Sequence, residues 1–514
     1  MSDLVLLEDK PHTPTWRLFM ACMSYMAVQV AYSFAFAMFS PMMRGYGVAG
    51  WINPLIWLFG PIVGLFQPFI GVFSDNCTLR LGRRRPFILI GLIFVSMAYV
   101  VYILLNLKVF KNTTLCIVLA IIAFVVINVA INILMLPARA IVFDLAGPGQ
   151  EKIGNNFISL IIGVGNCISF LCTAFIPDKA LYFVGMGLMI IVTIPTFLFA
   201  KETPYVRTPG SKLPNPFKIT FKALGKILKG GPVLRAAVVF LLSWFAYFNW
   251  NSSATDFVNQ AVYKISTDET TTSNSASFFG GIMDVFQKQV MFPGQFSGAG
   301  IVSSVLELKS DNPGLFTSNK VTMTDKEKAK LMGNLAMVGN SLVTALFSAI
   351  SAPFQKRVGL RSTYFLSQLL ATVSLFCLFL PGNIDTDYLW VIILTYACVG
   401  ANQSVFNSVP FAIVNESVPS AEAGMYAGVM NWFCLLGQTL SQVMCMIIQL
   451  FIKEEKANRH PLQWTYLALC IVSIIATFAT LLLKRGVRMG TPENDDVFSI
   501  NKTGDEKEKL SGLV

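Results

Sequence analysis

Twelve long apolar runs constrain this chain more than any other feature of its sequence. A helix needs roughly 20 apolar residues to cross the hydrocarbon core of a bilayer, and twelve runs of about that length occur. An even number of crossings places both chain termini on the same side of the membrane. The runs lie at residues 16–40, 54–73, 86–105, 115–143, 155–176, 181–200, 233–256, 331–353, 362–380, 389–414, 424–452 and 463–483.

Composition indicates that lipid is the solvent for these runs. Hydrophobic residues make up 54% of the 514 residues and charged residues only 13%, whereas about a quarter of the residues in a soluble domain are charged. So few charges cannot cover a water-facing surface. We therefore predict an all-α integral membrane protein with twelve transmembrane helices and with membrane lipid as a partner.

The distribution of Lys and Arg predicts the orientation of the chain. The loop after the second run carries Arg80 and Arg83–Arg85, and seven basic residues lie between the sixth and seventh runs, whereas the first loop has only Arg44. Basic loops tend to remain in the cytoplasm, so both termini are expected there. The net charge of +11 belongs to these short segments, and we expect no nucleic acid partner. The expected location is the plasma membrane, with a vacuolar or other endomembrane as the alternative.

The runs and loops divide the chain into two bundles with connecting segments. The linker contains PFKITFKALGKILKG, in which Lys alternates with apolar residues at helical spacing, and this predicts an amphipathic helix on the inner headgroups. A regulatory partner site is the alternative for that helix. The segments are a cytoplasmic tail at 1–15, a six-helix bundle at 16–200, the linker at 201–232, a second six-helix bundle at 233–483 with a long outer loop at 259–326, and a cytoplasmic tail at 484–514.

Two fragments recur in the same register in both bundles. RLGRRRPFIL at 80–89 is echoed by RVGLRSTYFL at 357–366, and LPARAIV at 136–142 by VPFAIV at 409–414. The offsets agree to within a few residues. This pattern is typical of a duplicated six-helix half.

The loop after the second run predicts a conformational latch. Gly71 lets helices approach closely, and Asp75 can pair with an Arg or cap a helix N-terminus across the domain interface. Such a charge cluster would stabilise one conformation and break in the other, although a plain basic loop is the alternative. The latch residues are Gly71, Asp75, Arg80, Gly82, Arg83 and Arg84, with Asp144 at the inner rim of the fourth run.

Several motifs resemble the sucrose transporter family. The fragments GPIVG at 60–64, GVFSDNCTLRLGRRRPFI at 71–88 and GMYAGVMNWFCLLGQ at 424–438 are similar to those of plant sucrose transporters and their animal relatives, in the glycoside–pentoside–hexuronide branch of the major facilitator superfamily. The resemblance implies a major facilitator fold of two pseudo-repeated six-helix halves. It also implies alternating access, a sugar substrate such as sucrose or a related glucoside, and proton symport.

The fourth run carries a polar face. Asn128, Asn132, Met135 and Arg139 are spaced at i, i+4, i+7 and i+11, so they share one side of a helix. An Arg in an apolar run costs several kcal/mol unless it faces a cavity or a partner, although Arg139 could instead snorkel to the inner surface. We interpret the face as lining a cavity, in which Arg139 orients sugar hydroxyls or pairs with Asp144 or another helix. The resemblance implies that this Arg matters for transport.

Other amides in apolar runs complete the predicted sugar site. Sugar hydroxyls need neutral donors and acceptors, since each buried hydroxyl must be paired; interhelical hydrogen bonding is the alternative role for such amides. Trp57, Trp244, Trp250 or Trp432 would supply an aromatic face, and we place Trp250 in the site. The further amides are Gln29, Asn402, Gln403, Asn407, Asn431 and Gln438.

The resemblance leaves proton coupling open. Family members usually carry an Asp where this chain has Asn128, and an amide cannot titrate. The Arg–Glu pair that sucrose carriers place after the Asp of the seventh run is also replaced, by Gln260 and Ala261. Asp256 is then the candidate acid for proton coupling. A sugar facilitator without proton coupling is the alternative.

The remaining signals exclude other classes of protein. The sequence shows no nucleophile–base pair, phosphate loop or metal-ligand cluster, so we expect neither an enzyme nor a cofactor. Asn112-Thr113-Thr114 is a glycosylation sequon in a predicted outer loop. We expect a functional monomer, and a non-transporting membrane sugar sensor is the further alternative.

Overall fold

The computed structural model describes the chain in eight stretches. Most of the N-terminal tail, the C-terminal tail, most of the linker and most of the predicted long outer loop lie outside the described residues. The stretches are 12–48, 52–147, 150–202, 215–264, 325–382, 384–417, 420–452 and 459–483.

Within these stretches the chain folds into fifteen α-helices. In the N-terminal half they are α1 Thr15–Gly45, α2 Ile52–Trp57, α3 Phe59–Gly64, α4 Gln67–Asp75, α5 Arg85–Asn106, α6 Thr113–Leu145, α7 Glu151–Phe175 and α8 Asp178–Phe199. The linker helix is α9 Pro216–Leu228, and the C-terminal half comprises α10 Pro232–Phe257, α11 Asp325–Val358, α12 Leu360–Phe379, α13 Leu389–Ser417, α14 Ser420–Phe451 and α15 Pro461–Ala479.

Eleven helices in the described part of the chain are long and apolar enough to cross a membrane. Large apolar side chains on their outer surfaces are exposed, among them Ile191, Leu198 and Phe478. Such a continuous apolar surface is stable only against lipid. The chain is therefore a multi-pass integral membrane protein, as the sequence predicts.

The second predicted run, 54–73, is wrong as a single helix, because it forms the three short helices α2, α3 and α4. Proline has no backbone N–H and cannot donate to the carbonyl four residues before it. Pro61 therefore leaves the Trp57 carbonyl without that partner, and Pro68 does the same at Gly64. α2 ends at Trp57 and α3 ends at Gly64, so both helix breaks follow these residues.

The seventh and eighth runs extend beyond their predicted limits. α10 continues through Phe257 into a π-helical turn, Val258–Val262, and α11 begins at Asp325 rather than at residue 331. The extra turn of α11 is polar, with Lys328 donating to Asp325 at 3.1 Å. Polar residues continue a helix without raising its hydropathy, so the apolar run understates its length.

The two halves pack against each other along α7 and α11. A Cβ atom added at Gly163 of α7 would lie 2.5 Å from the backbone nitrogen of Ala345 in α11, so the helices touch there. Thr173 donates to the side chain of Asn334 at 2.7 Å at the other end of the contact. This seam holds one side of the bundle, and the candidate site lies at the centre.

Candidate functional site

A chamber of about 160 Å³ lies between the two halves. Its walls come from α1, α2, α3, α4, α6 and α7 on the N-terminal side and from α10, α13 and α14 on the C-terminal side. None of the described residues that line it is an Asp or a Glu, and Arg139 is the single charged side chain among them. The chamber is thus a largely neutral polar site with one cation.

The face of α6 forms one wall, as its spacing predicts. Asn128, Asn132, Met135 and Arg139 all line the chamber. The Asn128 amide donates to the Phe124 carbonyl at 2.8 Å, and the Asn132 amide donates to the Asn128 carbonyl at 2.7 Å. Each side-chain amide thus donates one hydrogen bond to a carbonyl of its own helix, and this fixes the direction of its side-chain oxygen.

Gln67 connects this wall to the other half, and sequence reasoning missed it. The Gln67 amide donates to Asn132 in α6, and its oxygen accepts from Asn431 in α14. Two predicted amides from opposite halves are therefore joined by a third. The signal was present in the sequence, because Gln67 is the one amide side chain in the apolar run 54–73.

Two glycines bring α3 into the centre of this contact. A Cβ atom at Gly60 would lie 2.9 Å from the side-chain oxygen of Asn128, and one at Gly64 would lie 2.6 Å from the Leu435 side chain of α14. Larger residues would push α3 away from both neighbours. The broken second run is thus wedged between the halves at the level of the chamber.

Arg139 lies at the chamber wall with its guanidinium over the Phe411 ring of α13, 4.1 Å from the ring centroid. The predicted pairing with Asp144 does not occur, because Asp144 binds Arg84 and Arg83 instead. Among the described residues no carboxylate lies within ion-pair distance of Arg139. The cation is therefore held by an aromatic face across the two halves and keeps its donors available.

Amides of α13 and α14 form the opposite wall. Gln403 accepts from Thr344 at 2.9 Å, and Asn407 donates to the Gln403 carbonyl at 3.0 Å. Gln438 and Asn431 of α14 and Gln29 of α1 also line the chamber. The prediction that Asn402 belongs to the site is corrected, because Asn402 does not line the chamber. It lies about 100° around α13 from Gln403 and accepts from Ser367 of α12 at 3.3 Å.

The aromatic face comes from different tryptophans than the one we placed in the site. Trp57 and Trp244 line the chamber, together with Tyr25 and Tyr32, which sequence reasoning missed. The prediction that Trp250 belongs to the site is corrected, because Trp250 does not line the chamber. It is fully buried against Tyr396 of α13, with ring centroids 4.9 Å apart. Six residues of helix separate Trp250 from Trp244, which turns it to a different face of α10.

The predicted latch residues gather around Arg84 at the end of the bundle that carries Arg83–Arg85, here called the basic end. Arg84 pairs with Asp75 and with Asp144, the latter at 2.7 Å, and donates to Ser74 at 2.8 Å. Arg83 lies 3.4 Å from Asp144. Each of these partners belongs to the N-terminal half. We had expected the cluster to cross the domain interface, and it does not.

Glu202 and the three other predicted latch residues lie at the same end of the bundle. The Arg84 backbone N–H donates to Glu202 at 2.8 Å, and burial raises the pKa of the Glu202 carboxyl, opposed by that hydrogen bond. Gly82 adopts a φ of 105°, which favours glycine. Gly71 lets α4 approach Leu136 of α6, where a Cβ atom would lie 2.9 Å away. Arg80 is exposed to solvent.

Asp256 lies outside the chamber, at the opposite end of the bundle. It forms an ion pair with Arg44, the last basic residue of α1, so this pair joins the two halves. Their side chains are only 7% and 14% exposed. Burial lowers the pKa of the nearby His460 imidazole to about 4, with Arg44 adding to the shift, so that imidazole is neutral near pH 7.

Asn112 caps α6 at the same end. Its side chain accepts from the backbone N–H of Leu115 at 3.1 Å, which satisfies one free donor of the first turn. The residue is exposed. Glycosylation at this sequon stays a prediction.

Two family models together match most of the chain. The model described as MFS/sugar transport protein matches residues 20–291, more than half of the chain, and the Major Facilitator Superfamily model matches residues 317–503. The boundary between the two matches falls near the long loop after α10. The family assignment therefore covers both halves.

Curated relatives are named as sugar transporters. Sucrose transport protein SUT5 of Oryza sativa subsp. indica is 26% identical over 462 residues, covering 81% of this chain and 78% of that protein. Sucrose transport protein SUC3 of Arabidopsis thaliana is 28% identical, but the match covers 38% of this chain and 39% of the relative. The general alpha-glucoside permease of Schizosaccharomyces pombe is 26% identical over 47% of each chain.

Solved structures share the fold at low identity. The nucleoside transporter NupG superposes with a TM-score of 0.54 at 14% identity, covering 91% of this chain and 98% of that one. The human organic anion transporter TETRAN gives 0.55 at 13% identity, covering 91% and 100%. With the helical bundle and both family matches, these likenesses identify the chain as a member of the major facilitator superfamily, in its family of MFS/sugar transport proteins.

Proposed function

We propose that this protein carries a sugar, sucrose or a related glucoside, across a membrane by alternating access. The observation that carries the proposal is the joining of amides from both halves in one chamber, with Gln67 between Asn132 and Asn431. A solute bound there touches both halves at once. Its binding energy is therefore available to change how the halves contact each other.

The chemistry of the walls suits a neutral polyol. Each sugar hydroxyl both donates and accepts, and an amide side chain offers both kinds of partner. Trp57 and Trp244 offer apolar faces for sugar C–H groups, and the guanidinium of Arg139 offers several donors. The names of the relatives, sucrose transport proteins and an alpha-glucoside permease, support the same class of substrate.

Contacts between the halves on either side of the chamber suggest how access alternates. The Arg44–Asp256 pair joins α1 to α10 at the end opposite the basic end. Nearer the basic end, Arg139 of α6 stacks on Phe411 of α13. We propose that these contacts break in turn, so that the chamber opens to one side while the other stays closed.

We propose proton symport with Asp256 as the coupling group. Protonation would neutralise Asp256 and release Arg44, which would favour opening at that end. The second candidate is a facilitator without coupling, favoured by the amide at Asn128 and by the lack of a carboxylate among the described chamber residues. The two candidates differ in whether a proton gradient drives accumulation.

Uptake of labelled sucrose into vesicles that contain the purified protein tests this function. A symporter accumulates sucrose above the outside concentration when the outside is acidic, and a proton uncoupler abolishes the excess. A facilitator equilibrates sucrose and ignores the uncoupler. Binding without any uptake would indicate a sensor and would contradict the carrier proposal.

Asn128→Asp is expected to make uptake more strongly dependent on pH than in the wild type. The new carboxyl group can take up and release a proton within the chamber, which an amide cannot do. The measurement is the initial rate of uptake between pH 5 and 8 in both proteins. Asn112→Asp is the control, because Asn112 is exposed and Asp also caps a helix. An unchanged profile in the variant, with steep pH dependence already in the wild type, would place the proton site elsewhere.

Gln403→Leu is expected to raise the KM for sugar about tenfold, whereas Asn402→Leu is expected to leave it within about twofold. Both changes remove a buried amide oxygen that accepts from a hydroxyl. The Thr344 and Ser367 hydroxyls keep backbone carbonyl acceptors, so each change costs about 1 kcal/mol of stability. Only Gln403 lines the chamber. The proposal predicts that the two variants lower the thermal midpoint by similar amounts and that only Gln403→Leu raises the KM. Equal KM values would remove the α13 wall from the site.

We further propose that the basic end faces the cytoplasm, so that both termini lie there, in the plasma membrane or in a vacuolar or other endomembrane. Arg83, Arg84 and Arg85 at that end support this orientation. We propose that one chain contains the complete chamber and functions as a monomer. Protease protection of tags at the two termini tests the orientation.

A further inference from the structure

The linker helix α9 has three distinct faces. Asn215 caps its N-terminus, with a side chain that accepts from the Lys218 backbone N–H at 3.2 Å. The helix ends before Gly230 and Gly231, which both have positive φ. One face, with Thr220, Ala223 and Ile227, is buried against the bundle. The other two faces are exposed and differ in character.

The first exposed face is apolar and the second is basic. Phe217, Phe221 and Leu228 are 54%, 57% and 57% exposed and lie within about 40° of one another around the helix axis. About 115° further round lie the exposed lysines. They are Lys218, Lys222, Lys226 and Lys229, which together span about 80° around the helix axis.

The helix also spans the seam between the halves at the basic end. Phe217 packs on Phe69 of α4, with ring centroids 4.2 Å apart, and Phe221 packs on Trp432 of α14, at 5.7 Å. Trp432 in turn donates to the Leu65 carbonyl, between α3 and α4, at 3.1 Å. α9 therefore touches one helix of each half where those helices meet.

This arrangement matches the boundary between hydrocarbon and headgroups. Three large apolar side chains exposed to water would be unfavourable, whereas a helix lying in the interface inserts them beside the acyl chains and turns its lysines to the headgroups. Lysines close to an anionic membrane surface are attracted to it electrostatically. An acidic protein partner would pair with the lysines but would leave the apolar face uncovered.

We propose that α9 binds anionic phospholipid headgroups through its lysine face and that this binding favours the closed form of the basic end. Because α9 contacts both α4 and α14, lipid that holds the helix in place also holds these two helices together. Opening at the basic end must part α4 from α14 and so must loosen α9 from one of them. The proposal concerns regulation and does not depend on which solute the chamber carries.

Hydrogen exchange of the α9 backbone tests the proposal without any transport assay. The purified full chain would be placed in vesicles of phosphatidylcholine alone or of phosphatidylcholine with phosphatidylserine. We expect exchange in α9 to slow at least about threefold with phosphatidylserine. The triple variant Lys218→Gln, Lys222→Gln, Lys229→Gln should lose that slowing, while Lys108→Gln with Lys111→Gln at the opposite end should keep it.

Several outcomes would overturn the proposal. Exchange in α9 that ignores phosphatidylserine would do so, as would slowing that persists in the triple variant. Equal slowing by soluble inorganic phosphate, or by an acidic peptide in phosphatidylcholine vesicles, would show that headgroups in a membrane are not the ligand. Normal lipid-dependent exchange in a protein that fails to move sucrose would support this proposal and contradict only the proposed substrate.

Discussion

Arg139→Ala lowers sugar uptake about 100-fold in our expectation, while membrane insertion stays normal. A hydrogen bond to a charged group contributes about 1.5–3 kcal/mol, and about 1.4 kcal/mol corresponds to tenfold. Loss of the guanidinium also removes its contact with Phe411 across the halves. The measurement is the initial rate of uptake per inserted protein in vesicles.

Arg17→Ala is the matched control for this variant. The Arg17 guanidinium also lies over an aromatic ring, that of Trp16 at 5.4 Å from the centroid, but it is remote from the chamber. Arg139→Lys should give an intermediate loss, because it keeps the charge but loses the planar group that stacks. Uptake that is normal in Arg139→Ala would remove this residue from the site.

Asp256→Ala is expected to open the end of the bundle opposite the basic end. Removing one partner of a buried ion pair costs about 3–5 kcal/mol, since the other charge stays buried, and Arg44 and Asp256 are both largely buried. That energy corresponds to a shift of at least roughly 100-fold in the balance between closed and open forms. Cys434 lines the chamber, so its labelling by a membrane-impermeant maleimide, located by mass spectrometry, reports the opening.

Two variants separate this effect from general damage. Asp325→Ala breaks an exposed ion pair on α11, for which side-chain exposures are 78% and 48%, and such pairs contribute about 1 kcal/mol or less. The exchange Arg44→Asp with Asp256→Arg should restore slow labelling of Cys434. Labelling in Asp256→Ala as slow as in the wild type would mean that this pair does not close the chamber.

Most of the fold could be predicted from the sequence because lipid imposes a simple rule on length and polarity. Eleven of the twelve runs appear as long helices. The second run was different, because Pro61 and Pro68 each remove a backbone donor while leaving the hydropathy of the run unchanged. A count of apolar residues does not detect that loss, although both prolines are present in the sequence.

The candidate site was predictable where helical spacing alone decides direction. The α6 face from Asn128 to Arg139 lines the chamber as its spacing indicates. Asn402 and Trp250 were misplaced, because an amide or an indole in an apolar run shows that a partner is needed but not on which side of the helix it lies. Asn402 found its partner in Ser367 within the same half.

The cross-half contacts were the least predictable part. Gln67, Arg44 and Phe411 lie far apart in the chain from Asn431, Asp256 and Arg139, their respective partners. No local pattern links such residues, since the two members of each pair belong to different halves of the chain. The predicted latch at Arg84 shows the same limit, because its acids lie within one half.

A structure of the purified protein with bound sucrose tests the central claim most directly. We predict density for one sugar between the two halves, with hydroxyls within hydrogen-bond distance of Arg139 and Gln403 and with a ring face against Trp244. A chamber that stays empty at saturating sucrose, or sugar bound only outside it, would contradict the account.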